Sequence, residues 1–163
     1  LEVVFKTKPG VAGGTLLAKA DGQGYVLGVN DAGAAELTLM TGNAKASVAG
    51  SSVVNDGEWY HLVAEVDRTS GKAMLYVNGK PAAQGALDTL KDASLTNTAD
   101  FQVGKGLVGA VDFVRVCRST LAESKTTIDE LYAWQFNGPF LHDFCGVKRG
   151  TQATAGAFEW RRE

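Results

Sequence analysis

Twenty glycines cut this chain of 163 residues into short apolar runs, and that spacing constrains its fold more than any other feature. Glycine usage is about 12%, against an average of about 7%. The runs between the glycines alternate polar and apolar residues, as a half-buried strand requires. They fall at Leu1–Lys8, Thr15–Ala20, Tyr25–Asn30, Glu36–Met40, Lys45–Ala49, Trp59–Asp67, Lys72–Val77, Ala82–Leu87, Asp100–Gly104 and Ala110–Arg118. About ten short strands in so little chain predict an all-β domain of two packed antiparallel sheets, a sandwich or jelly roll.

Two turns fix part of the register. Residues Asp67–Lys72 join the longest alternating run to the next strand, and Asn78-Gly79 then favours a type I′ turn, because both residues tolerate positive φ. A three-strand meander follows. Period 2 places Tyr60, Leu62, Ala64 and Val66 on one face with Ala73, Leu75 and Val77. Trp59, His61, Val63, Glu65 and Asp67 take the other face with Met74 and Tyr76.

The pattern changes after Arg118. Thr120-Leu121-Ala122-Glu123 has the form of a capping box, and Ile128, Leu131 and Tyr132 recur at helical spacing. One short helix is expected from about Leu121 to Ala133. The remaining residues, 134–163, carry Trp134, Phe136, Phe140, Phe144, Phe158 and Trp160, too apolar for a disordered tail. They are expected to wrap the sandwich, with Ala157–Arg161 as an added edge strand. The domain plan is thus a single unit: a sandwich to residue 118, a helix over 119–133 and a packing tail.

Several phrases, in order, resemble those of laminin G-like, concanavalin A-like jelly-roll domains. They are Gly14-Thr15-Leu16-Leu17-Ala18-Lys19 with Gly24-Tyr25-Val26-Leu27-Gly28-Val29, Asp56-Gly57-Glu58-Trp59-Tyr60-His61-Leu62-Val63, Leu75-Tyr76-Val77-Asn78-Gly79-Lys80, and Gly109-Ala110-Val111-Asp112-Phe113-Val114-Arg115-Val116. Thr120–Tyr132 is similar to the helix that follows the last strand in that family. The resemblance covers roughly residues 1–133 and implies a jelly roll. Its members include carbohydrate-binding modules of secreted bacterial hydrolases, adhesion or protein-binding modules and, in a related branch, glycosidases. The family's usual opening strand, with a Phe-Asp/Asn-Gly phrase, is absent from the N-terminus. Phe136-Asn137-Gly138-Pro139 carries such a phrase, and residues Phe136–Leu141 are expected to fill the vacant place beside Ala110–Arg118.

Catalysis finds little support. Sandwich glycosidases need paired carboxylates, and only Glu65-Val66-Asp67 offers a comparable spacing, without a third acid. A solvated strand end is the plainer reading. Cys117 falls within a strand, not at the turn or helix start where a thiolate is favoured. His142 has no helper nearby in sequence. Gly104-Lys105-Gly106 lacks the rest of a phosphate loop.

Binding is better supported. Sugars present apolar faces and hydroxyls, so Trp59, His61 and Tyr76 on one sheet face form a candidate platform; the alternative is that these aromatics are core. A second candidate is the rim formed by strand ends, with Asp21, Gln23, Asn30, Asp31, Asn55 and Asp56, whose ordinary work is to make turns. Asp112 alternates with Val114 and Val116 and is expected to point with them toward apolar surroundings. A buried carboxylate needs donors, a charge partner or a metal. The resemblance implies a structural calcium near such an acid in some members, while backbone N–H groups or Arg115 and Arg118 satisfy it equally well. Cys117 and Cys145 fit either a disulfide or two buried thiols.

Net charge is −2 and the 16 basic residues are dispersed, which argues against a nucleic-acid binder. No apolar run approaches a membrane span of about 20 residues. The chain opens on Leu1-Glu2-Val3-Val4-Phe5 without an initiator Met and reads as a piece of a longer exported protein, extracellular or in the cell envelope. The resemblance implies a non-catalytic carbohydrate-binding module with a glycan or polysaccharide ligand. The alternative is a structural or protein-interaction module packed on a neighbouring domain, with glycoside hydrolysis third.

Overall fold

A computed structural model describes residues 1–11, 13–88, 90 and 92–134, with side chains as far as Leu131. Two five-stranded antiparallel sheets face each other, as a jelly-roll sandwich requires. The first sheet has the order β10-β1-β6-β7-β8, from β1 (Glu2–Thr7), β6 (Tyr60–Asp67), β7 (Lys72–Val77), β8 (Lys80–Ala86) and β10 (Gly109–Arg115). The second has the order β5-β4-β3-β2-β9, from β2 (Gly14–Ala20), β3 (Gly24–Val29), β4 (Ala34–Thr41), β5 (Ala44–Val53) and β9 (Gln102–Val103). A helix of seven residues, α1 (Ile128–Trp134), follows.

The β6-β7-β8 meander forms as its alternation predicts. Leu62 pairs with Val77, Ala64 with Leu75 and Val66 with Ala73. These residues face the second sheet, where Leu27, Leu37, Leu39 and Val48 close the core with Val3 and Phe5 from β1. Asn78 and Gly79 both have positive φ (50° and 75°), as a type I′ turn demands. At the other turn the Asp67 carboxylate accepts from the N–H groups of Thr69 and Ser70. Sheet-to-sheet packing is close enough to need glycine at Gly85, where a Cβ would lie 2.4 Å from a Val48 methyl.

The structure departs from the sequence reading in identifiable places. Strand β10 ends at Arg115, three residues before Arg118, so Cys117 lies beyond the strand and not within it. Strand β5 runs ten residues, twice the length of its central run. Trp59 sits just before β6. The expected helix is two capped turns. Thr120 and Glu123 make the capping box: the Thr120 N–H donates to Glu123 and the Glu123 N–H to Thr120 Oγ1. Lys125 then takes a positive φ of 53° and breaks the turn. Thr127 and Glu130 repeat the box and start α1. The expectations for Phe136–Leu141, Ala157–Arg161, His142 and Cys145 lie outside the described residues. Among the described residues, no helix is long and apolar enough to cross a membrane.

Candidate functional site

The face of the first sheet turned away from the core holds the predicted platform residues in three successive rows. Lys6 and Trp59 head the face. Next come Phe113, Val4 and His61, with Val4 paired to both others. Then Arg115, Glu2, Val63 and Tyr76 lie side by side. Trp59, His61 and Tyr76 therefore do share one face, but their environments differ.

His61 is 2% exposed and cannot meet a ligand from solvent. Its Nε2 lies 2.7 Å from Glu2 Oε1, and the other Glu2 oxygen pairs with Arg115. Glu2 is itself buried, so three polar side chains form one internal cluster beneath the outer surface. Tyr76 is half-buried. Its hydroxyl donates to Glu65 Oε2 at 3.2 Å, and burial first, then Glu65, holds its pKa above 10.0. Trp59 alone of the three is open, at 46% exposure. The Lys6 ammonium sits 5.2 Å from the centre of its ring, within cation–π range.

The turn before Trp59 is built by its own side chains. Asp56 Oδ1 accepts from the Glu58 N–H at 3.0 Å, and Asp56 Oδ2 accepts from the Tyr60 hydroxyl at 2.8 Å. Gly57 has φ 96°, and a Cβ there would lie 2.8 Å from the Pro9 ring. The Glu58 N–H bond first, then Tyr60, hold the Asp56 carboxyl below 3.8. The Tyr60 phenol is pushed up to about 12, by burial first, then by its bond to Asp56 and the charges of Asp56 and Glu58.

Both shifts bear on stability. Tyr60 titrates higher folded than free, so its contribution is complete below pH 10.0 and lost as pH rises toward about 12. Asp56 titrates lower folded than free, so its contribution is present above pH 3.8 and lost on acidification. Asp56→Asn is expected to lower the Tyr60 transition, read by ultraviolet difference titration, and to flatten the acid limb of the stability curve. An unchanged Tyr60 transition would show that Asp56 does not control it.

The rim residues divide between opposite ends of the sandwich. Asn30, Asp31, Asn55 and Asp56 gather at one end, where Asn55 donates to the Val11 carbonyl and Asn30 Oδ1 accepts from the N–H groups of Ala32 and Ala34. Asn30 is thus occupied in its turn, while Asp31 is exposed. Asp21 and Gln23 stand at the far end of the β2–β3 hairpin, where Gln23 donates to Thr96.

Asp112 is a correction. A bulge in β10 pairs Val4 with Phe113 but Phe5 with Val111, leaving Asp112 as the extra residue. That insertion breaks the alternation with Val114, and Asp112 is solvent-exposed. The burial that made it a calcium candidate is absent. Among the described residues no group of three or more His, Cys, Asp or Glu gathers that could hold a metal.

One feature escaped the sequence reading. A cleft of about 690 Å³ opens at the end of the first sheet opposite Trp59. Glu65, Asp67, Arg68, Asn97, Arg118 and Leu131 are among the residues that line it. Its acids have structural partners: Glu65 Oε1 accepts from the Leu121 N–H, and Asp67 holds its own turn. The loops at 94–97 and 116–126 have no periodicity from which the cleft could be read.

Sheet order, register and core together define a concanavalin A-like jelly-roll sandwich. A family model described as the concanavalin A-like lectin/glucanases superfamily matches residues 4–125, and the chain belongs to that family. Among solved structures it is similar to the CBM40 of the Ruminococcus gnavus IT-sialidase, at TM-score 0.57 and 17% identity over 81% of this chain and 79% of that one. It is similar also to a Bacteroides ovatus protein provisionally described as carbohydrate-binding, at TM-score 0.60 and 19% identity over 80% of this chain. A third likeness is to the binding domain of Paraclostridial Mosquitocidal Protein 1, at TM-score 0.61 and 16% identity over 89% of this chain. The chain spans 38% and 39% of the length of those last two proteins. No curated protein matches the chain.

Proposed function

We propose that this chain is a non-catalytic carbohydrate-binding module of an exported multidomain protein. The observation that carries the reading is Trp59. A large indole left 46% exposed on a sheet face beyond the core, held by a turn of fixed geometry, presents the flat apolar surface on which a pyranose stacks. Likeness to carbohydrate-binding domains supports the same reading. The acids closest to a hydrolase pattern, Glu65 and Asp67, already accept hydrogen bonds that hold the fold.

Glycan-array screening followed by affinity electrophoresis tests the proposal. Trp59→Ala is expected to weaken binding about tenfold to thirtyfold, or about 1.5–2 kcal/mol, with little change in melting temperature. A blank array overturns the reading. Glycan hydrolysis abolished by Glu65→Gln would put an enzyme in its place.

A second reading rests on a different observation. Phe101, Val103, Val108 and Val116 are each more than 40% exposed, and they flank the edge strands β9 and β10. An apolar strip beside two strands that end their sheets among the described residues suits a module packed on a neighbouring domain. Under this reading a blank array accompanies faster proteolysis at the domain junction of the full-length protein after Phe101→Asp and Val116→Asp.

A further inference from the structure

We infer that Trp59 and Lys6 together form a subsite for a negatively charged sugar, one carrying a carboxylate or sulfate. This rests on the carbohydrate-binding reading and narrows it to a ligand class.

The argument is the separation of charge around one turn. Four charged residues, Lys6, Lys8, Asp56 and Glu58, fall on the two segments that meet at this end of the sheet, two of each sign, so net charge alone selects nothing. Their placement does. Tyr60 packs toward the core, its ring 6.2 Å from that of Phe5. The Tyr60 hydroxyl donates to Asp56 Oδ2 at 2.8 Å, and Asp56 Oδ1 accepts from the Glu58 N–H. The Asp56 carboxylate is thus held on the Tyr60 side of the strand. Trp59 points to the opposite side, where the ammonium of Lys6 lies over its ring.

The exposed indole therefore carries a cation on its own face, while the Asp56 carboxylate is turned to Tyr60. A neutral pyranose gains only stacking from the indole. A pyranose with a carboxylate or sulfate gains in addition a charge-assisted contact with an ammonium that has three donors on a flexible stem. Because the site is open to water, that second contribution is modest and falls with salt.

The test uses matched polymers in affinity electrophoresis: polygalacturonate against its methyl ester, and chondroitin sulfate against desulfated chondroitin. The wild-type chain is expected to bind the charged member of at least one pair about threefold to fivefold more tightly at low salt, with the preference lost at high salt. Lys6→Gln should erase the preference while leaving binding to the neutral polymer. Lys8→Gln, which removes an exposed charge of the same sign from the same strand end, should leave the preference in place. Trp59→Ala should weaken both members alike. Thermal melts of each variant separate loss of fold from loss of binding.

Equal binding to both members by the wild-type chain overturns the inference and leaves the carbohydrate-binding reading standing. Equal effects of Lys6→Gln and Lys8→Gln also overturn it, because general attraction then accounts for the preference. Binding to no polymer of this panel, with neutral glycans bound on the array, likewise removes the charged-sugar subsite alone. Binding to nothing on either removes both.

Discussion

Phe5→Ala is expected to destabilise the fold by about 4 kcal/mol and to lower the melting temperature by about 10 °C. Phe5 has no solvent exposure and stands in the central region of the first sheet, where β1 lies between β6 and β10. It pairs with Tyr60 on one side and Val111 on the other. Truncation removes a full ring from between two sheets, and neither sheet can close the gap without breaking its own ladder. Phe5→Leu, which keeps most of the volume, is expected to cost about 1.5 kcal/mol or less. Urea denaturation of both variants checks the pair. A loss below about 1 kcal/mol for the alanine variant would mean that the sheets collapse onto the vacancy and that the core around Phe5 is not rigid. The same substitution also bears on binding, because Phe5 backs the ring of Tyr60, whose hydroxyl anchors Asp56 and the turn that presents Trp59.

Where the chain alternates without interruption, its structure was legible. The meander from β6 to β8 follows from period 2 and from Asn78-Gly79, because a strand with one buried face has one register that keeps Leu62, Ala64, Ala73 and Leu75 inside. Bulges were not legible. Leu16 and Leu17 are both fully buried at an irregularity in β2, so the inserted residue reads as one more apolar position. At Asp112 an insertion reverses which neighbours share a face, and the predicted burial fails with it. The helix prediction erred differently. Thr127 and Glu130 repeat the spacing of Thr120 and Glu123, so a second start signal was present in the sequence, and only the positive φ of Lys125 between them was hidden. For the candidate site, alternation placed Trp59, His61 and Tyr76 on one face correctly. Their different exposures depend on contacts distant in sequence: His61 is held by Glu2, 59 residues away, and Lys6 reaches Trp59 from a neighbouring strand.

That distant contact sets the second large effect. Glu2→Ala is expected to destabilise the protein by about 3 kcal/mol, because it removes the carboxylate on which His61 and Arg115 converge in a buried setting. Arg115→Ala should cost less, about 2 kcal/mol, since the Arg115 side chain is 20% exposed and Glu2 keeps its bond to His61. If the three side chains act as one unit, the Glu2→Ala, Arg115→Ala double variant should cost less than the sum of the singles by about 1 kcal/mol or more. Strict additivity would show that the contacts are independent. A further variant separates stability from specificity. Replacing the cluster by Glu2→Met, His61→Leu and Arg115→Met fills the same space without buried charge, and such exchanges are commonly neutral or stabilising. If that triple variant is as stable as the wild type yet loses a single sharp unfolding transition, the cluster serves to fix the pairing of β1 between β6 and β10. If instead it melts as sharply and at a higher temperature, the polar cluster is a cost that the fold carries, and the hydrophobic pairing of Val3 with Leu62 and Val114, and of Phe5 with Tyr60 and Val111, suffices to set the register.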